Sequence, residues 1–147
     1  MTQEEKQQLW ECICEMVPHD TIVHHLNVNA DYKLNGVLNN TLPINGEKEL
    51  LIYVKTLDNG IQLPPTGPGD VLPYLRPMSS MTEEEKIELC TISYAPDEMK
   101  TIEEKLYVIQ TNAKNAADFY NAHYLDYRGL IEKGLALEAP EGMYNAK

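Results

Sequence analysis

Three cysteines, Cys12, Cys14 and Cys90, are all that the 147 residues contain. So small and odd a number excludes a disulfide framework, and in a reducing compartment such thiols serve as small buried hydrophobes. No apolar run approaches the roughly 20 residues that a membrane-spanning helix needs. The opening Met1-Thr2-Gln3-Glu4-Glu5 is acidic, the reverse of a secretory signal's basic start. A cytoplasmic protein without membrane contact is therefore expected. Serine is scarce as well, and Ser79, Ser80 and Ser93 all lie outside a Gly-x-Ser-x-Gly elbow. Neither a Gly-x-Gly-x-x-Gly turn nor a phosphate-binding loop occurs, since Gly67-Pro68-Gly69 lacks the Lys-Ser/Thr that would grip phosphate.

Positive charge is also short. Against 23 acids stand 12 bases, nowhere three in a row, and the net charge is −11. A field of that sign repels phosphate backbones and argues against nucleic acid as a partner. A basic partner or DNA mimicry would suit it, although the acids are spread along the chain and many sit at helix starts, where a structural role accounts for them. The chain length and the 43% apolar content fit one domain, residues 1–147, with the tail from about 138 packed more loosely. A domain of this size buries roughly 70% of its unfolded surface, enough to hold together without a metal or disulfide.

What is present reads as α+β. Thr2 with Glu5 forms a capping box, and Leu9, Trp10, Ile13, Met16 and Val17 share one face of an N-terminal helix that Pro18 ends. From Thr21 to about Val54 the period becomes two: Ile22, His24, Leu26 and Val28 alternate with Val23, His25 and Asn27. Asn35-Gly36, Asn45-Gly46 and Asn59-Gly60 are turn signals between Tyr32–Leu34, Val37–Leu38 and Leu50–Val54. A small antiparallel meander of three or four strands follows from these. Residues 60–80 hold more than half of the prolines, which predicts a connector through which no central strand runs. Asp70 is placed to cap a helical turn starting at Val71. Thr82 with Glu85 opens a short helix ending near Cys90. Thr101 with Glu104 opens a long amphipathic helix carrying Ile102, Leu106, Ile109, Ala113, Ala116 and Tyr120.

Few residues invite a chemical role. Cys12 and Cys14 lie two apart on a helix, and His24 and His25 point to opposite faces of a strand, so neither pair can share a metal. No metal site and no cofactor is expected. The aromatic usage is tilted: nine tyrosines against one Phe and one Trp. The only two arginines both stand beside tyrosines, in Tyr74-Leu75-Arg76-Pro77 and Asp126-Tyr127-Arg128-Gly129. The rigid guanidinium fork suits tying a proline- or glycine-rich connector to the fold, and Tyr with Arg is also the make-up of binding hot spots. Tyr74, Arg76, Tyr120, Tyr124, Tyr127 and Arg128 are accordingly the partner-binding candidates.

Two blocks, Pro73–Glu85 (PYLRPMSSMTEEE) and Asp126–Tyr144 (DYRGLIEKGLALEAPEGMY), resemble small uncharacterised proteins encoded by phages, prophages and related elements of gut bacteria. The resemblance carries no ligand or catalytic residue with it, and the N-terminal half departs most from the group. It implies a non-catalytic protein of a phage or mobile element that binds a host or phage protein, with inhibition of a host defence factor as one form of action. The contact would lie on the strand-and-loop half or at the tyrosine-rich helix end. The alternatives are a minor structural or assembly protein that self-associates as a homo-oligomer, and a small-ligand binder or enzyme. An exposed apolar patch or an open sheet edge favours binding. An enclosed pocket of converging polar groups favours the last.

Overall fold

The structure, a computed structural model, describes residues 1–41, 46, 48–93 and 115–144. Helix α1 (Gln3–Met16) starts at the anticipated capping box: Thr2 Oγ1 accepts from Glu5 N at 3.1 Å and Glu5 Oε1 accepts from Thr2 N at 2.8 Å. Its apolar stripe, Leu9, Trp10, Cys12, Ile13 and Met16, is buried. The helix gives way to a single 3-10 turn, Val17–His19, that contains Pro18 and ends in left-handed Asp20 (φ 55°). Buried Thr21 then donates its hydroxyl to Met16 O at 2.8 Å, tying the start of the first strand to the end of the helix.

Among the described residues five strands follow: β1 (Ile22–His25), β2 (Ala30–Thr41), β3 (Lys48–Lys55), β4 (Val71–Leu75) and β5 (Leu137–Glu138). They form one sheet in the order β3-β2-β1-β4-β5. All pairings are antiparallel except β4 with β5, which is parallel. The protein is α+β with an N-terminal helix, as expected, but its sheet is mixed and five-stranded. Only β1 to β3 make a meander, and β4 crosses back to the other side of β1.

Four local expectations need correction. Strand β1 stops at His25, and residues 26–29 turn, closed by left-handed Asn29 (φ 50°). Asn35-Gly36 does not turn the chain: β2 runs through it with a bulge, Leu34 pairing with Val54 and Gly36 with Tyr53. The extra residue reverses the alternation, so Val37 and not Gly36 follows Leu34 onto the core side. A strand also runs through the proline-rich stretch, with Pro73 of β4 opposite Val23 of β1. Because Leu26 N donates to Asp70 O at 2.9 Å, alternation puts Val23–Pro73 at a non-hydrogen-bonded position, and the missing N–H faces β5. There pairing begins only at Tyr74, so no ladder bond is lost. Asp70 caps no helix. Its Oδ2 accepts from Thr66 Oγ1 at 2.8 Å and Gly67 N at 3.2 Å, closing the turn that leads into β4.

Other expectations hold. Gly60 (φ 67°) turns the chain after Asn59, and the connector folds back along β3, where Ile52 N donates to Thr66 O at 2.8 Å and Leu63 N to Val54 O at 2.9 Å. Helix α2 (Glu83–Ser93) opens at the Thr82–Glu85 box and runs past Cys90. Most of the expected long amphipathic helix, including Ile102, Leu106, Ile109 and Ala113, lies outside the described residues, and its end is helical over 115–122. The core forms where α1 and Leu130, Leu135 and Ala136 meet the sheet face carrying Val23, Leu34, Ile52, Val54, Val71 and Leu75.

Candidate functional site

Arg76 leaves the end of β4 where β1 no longer flanks it, and the chain after the helical segment 115–122 takes the vacated place. Arg76 N donates to Tyr124 O at 2.7 Å and Asp126 N to Arg76 O at 2.8 Å, a parallel bridge centred on Leu125. The guanidinium is thereby aimed at the first turn of α2. Its Nη1 and Nη2 donate to Glu85 Oε2 and Oε1, each at 2.8 Å, and further to His123 O (3.2 Å) and Ser80 O (3.0 Å). Arg76 thus fastens the proline-rich connector, α2 and the helical segment 115–122 to one another. The fork holds the carboxyl of Glu85 far below the usual range, at about 2. His123 Nδ1 lies 2.9 Å from Glu85 Oε2 and Nε2 lies 3.9 Å from Glu88 Oε2, with the ring packed on Phe119 at 4.4 Å.

These groups wall a cleft of about 940 Å³. One side is acidic, with Glu83, Glu84, Glu85 and Glu88 of α2, and the other presents His123, Tyr124 and Tyr144. A smaller hollow of about 370 Å³, lined by Asp118 and Phe119, continues it across Glu88, Ala122 and His123. Tyr144 lies flat on Tyr124 with centroids 3.7 Å apart and planes within 7°. Tyr124 donates its hydroxyl to His19 O. Glu85 is neutralised by Arg76 and Glu83 pairs with Lys86 at 3.2 Å, so Glu84 and Glu88 carry the cleft's outward charge. Chemically the cleft suits a cationic side chain, drawn by the carboxylates and the aromatic faces.

The six candidates do not converge. Arg76 and Tyr124 meet at the cleft. Tyr120, Tyr127 and Arg128 gather instead around Glu15 of α1, whose Oε2 accepts from Asn121 Nδ2 at 2.7 Å and from the Tyr127 hydroxyl at 3.0 Å, with Arg128 Nη2 at 2.5 Å. The Arg128 guanidinium also lies over the Tyr127 ring, which stacks on Tyr120 at 5.0 Å. Burial works against ionising Glu15, but Arg128, Asn121 and Tyr127 together hold its carboxyl below the ordinary value. Tyr74 stands on the sheet face away from α1 and donates to Asp31 Oδ1 at 2.8 Å. Burial, then Asp31, pushes its hydroxyl up to about 12. His24 Nδ1 lies 2.7 Å from the same oxygen, whereas His25 packs edge-on to Tyr32.

Sequence reasoning missed Glu88, His123 and Tyr144, and it read Glu85 only as a cap. The Thr82-x-x-Glu85 spacing was the available signal for Glu85, and it does cap α2. Its second role depends on Arg76, nine residues earlier on another element. Cys12 is no poised nucleophile, because burial pushes its thiol up to about 11. Among the described residues no three His, Cys, Asp or Glu side chains are placed to hold a metal ion, and no helix is long and apolar enough to cross a membrane. Compared with known proteins, the chain matches no family model, no curated sequence and no solved structure.

Proposed function

We propose that this chain is a non-catalytic binding protein of a phage or mobile element, which engages a host protein through a basic segment of that partner. The observation that carries the reading is the cleft, where four glutamates of α2 face two stacked tyrosines. Glu84 and Glu88 are exposed, Glu88 lying 3.9 Å from His123 Nε2, so an arginine or lysine of a partner gains carboxylate contacts and an aromatic wall together. The net charge of −11 steers such a partner in from a distance. The surface is also not wholly polar, with Leu26, Val28, Leu57 and Ile61 between 47% and 57% exposed in the turns around β1 and β3. Action in the host cytoplasm, by occupying the partner's basic surface, accords with this chemistry.

The test is affinity capture from host lysate, followed by measured binding of the purified partner to the parent chain and to Glu84→Lys/Glu88→Lys. Charge reversal at both positions is expected to weaken binding by on the order of 100-fold and to flatten its salt dependence. Undiminished binding by the doubly reversed chain would remove the cleft from the reading.

A further inference from the structure

The pairing of β1 with β4 stops one step early. Their register runs through His25–Val71, His24–Leu72 and Val23–Pro73. The next rung is Ile22 with Tyr74, and alternation from the Leu26–Asp70 bond makes it a hydrogen-bonded position. The Tyr144 hydroxyl sits in that rung. It accepts from Ile22 N at 2.9 Å, and its one proton can be donated to Tyr74 O at 2.9 Å or to Ile22 O at 3.2 Å. One side-chain oxygen stands in for a ladder bond at the point where β4 passes from β1 to the Leu125 bridge.

The segment that delivers Tyr144 is short and sparsely held. Ala139 N donates to Leu75 O at 2.8 Å, and then Pro140 to Met143 form a tight turn, Met143 N donating to Pro140 O at 3.1 Å. Gly142 (φ 84°) supplies the positive φ that such a turn requires at its third residue. Beyond the turn, among the described residues, the hydroxyl in the seam and the ring on Tyr124 hold Tyr144.

We propose that residues 139–144 are a latch. Tyr144 is its bolt, and withdrawing the bolt frees the face of Tyr124 and opens the cleft on that side. As a control on access to the cleft, the latch rests on the functional reading above. As a structural device it needs no partner, so its test can fail or succeed while that reading stands. The test is backbone hydrogen exchange with side-chain NMR on the full chain, comparing the parent with Tyr144→Phe and Tyr144→Ala. In Tyr144→Phe, which keeps the ring, the Ile22 amide should exchange on the order of tenfold faster, the effect of losing one hydrogen bond. In Tyr144→Ala, the Tyr124 ring resonances should also shift as the stacked ring is lost, while the Leu34 and Val54 amides keep the parent's protection. An unchanged Ile22 amide in both variants would overturn the proposal. So would unmoved Tyr124 resonances in the alanine variant, or equal acceleration at Leu34 and Val54, which would make the segment part of the cooperative core.

Discussion

Glu85 has two oxygens and four contacts, from three residues. Oε1 accepts from Arg76 Nη2 and from Thr82 N, both at 2.8 Å, and Oε2 accepts from Arg76 Nη1 and faces His123. Substituting it leaves a guanidinium only 15% exposed without its counter-charge. Glu85→Ala is therefore expected to cost about 3 kcal/mol in urea unfolding at pH 7. The pH dependence has a definite sign. The folded carboxyl titrates at about 2 against an ordinary 4.5, so its stabilisation is complete above the higher value and is lost as pH falls toward the lower. The gap between parent and variant should narrow across that window, and a gap independent of pH would contradict the ion pair. Arg128 is the second such anchor, between Glu15 and the Tyr127 face. Arg128→Ala should lose about 1–2 kcal/mol, and equal melting temperatures for variant and parent would reject the structural role. That these arginines tie connectors down was readable from their rarity and their Pro and Gly neighbours. Their partners were not, because Glu85 and Glu15 are brought to them by packing.

At the scale of elements, the helix starts were legible because capping is local. Thr2 and Thr82 each exchange bonds with a glutamate three residues on, and nothing elsewhere in the chain is required. Thr2→Ala should cost about 1 kcal/mol in thermal unfolding. The strands were less legible for the opposite reason. Asn35-Gly36 has the chemistry of a turn, yet pairing with β3 across a bulge keeps β2 extended. Pro73 has the chemistry of a strand breaker, but it stands where its missing N–H has no ladder partner to lose. The turn before Tyr144 offers a cleaner test. An added Cβ at Gly142 meets nothing within 4 Å, so Gly142→Ala strains only the backbone at φ 84°. It is expected to loosen residues 139–144 by about 1–2 kcal/mol, read as faster exchange of the Met143 amide with the core unaffected.

For the molecule as a whole, a charge of −11 on 147 residues means self-repulsion that the folded state must bear. Raising salt from about 10 mM to about 150 mM shortens the screening length from roughly 30 Å to 8 Å. The melting temperature should rise over that range, and a flat profile would mean that local pairs already compensate the acids. What the sequence determined by itself is what depends on near neighbours along the chain: the α+β class, two capped helix starts, the apolar stripe of α1, the Asn59-Gly60 turn, and the sign of the field. The tertiary structure alone decided the strand order, the parallel β5, the cleft between α2 and the tyrosines, and the Tyr144 hydroxyl in the β1–β4 seam. Each of these joins groups far apart in sequence. Their chemistry allows many pairings, and only the packed fold selects which of them meet.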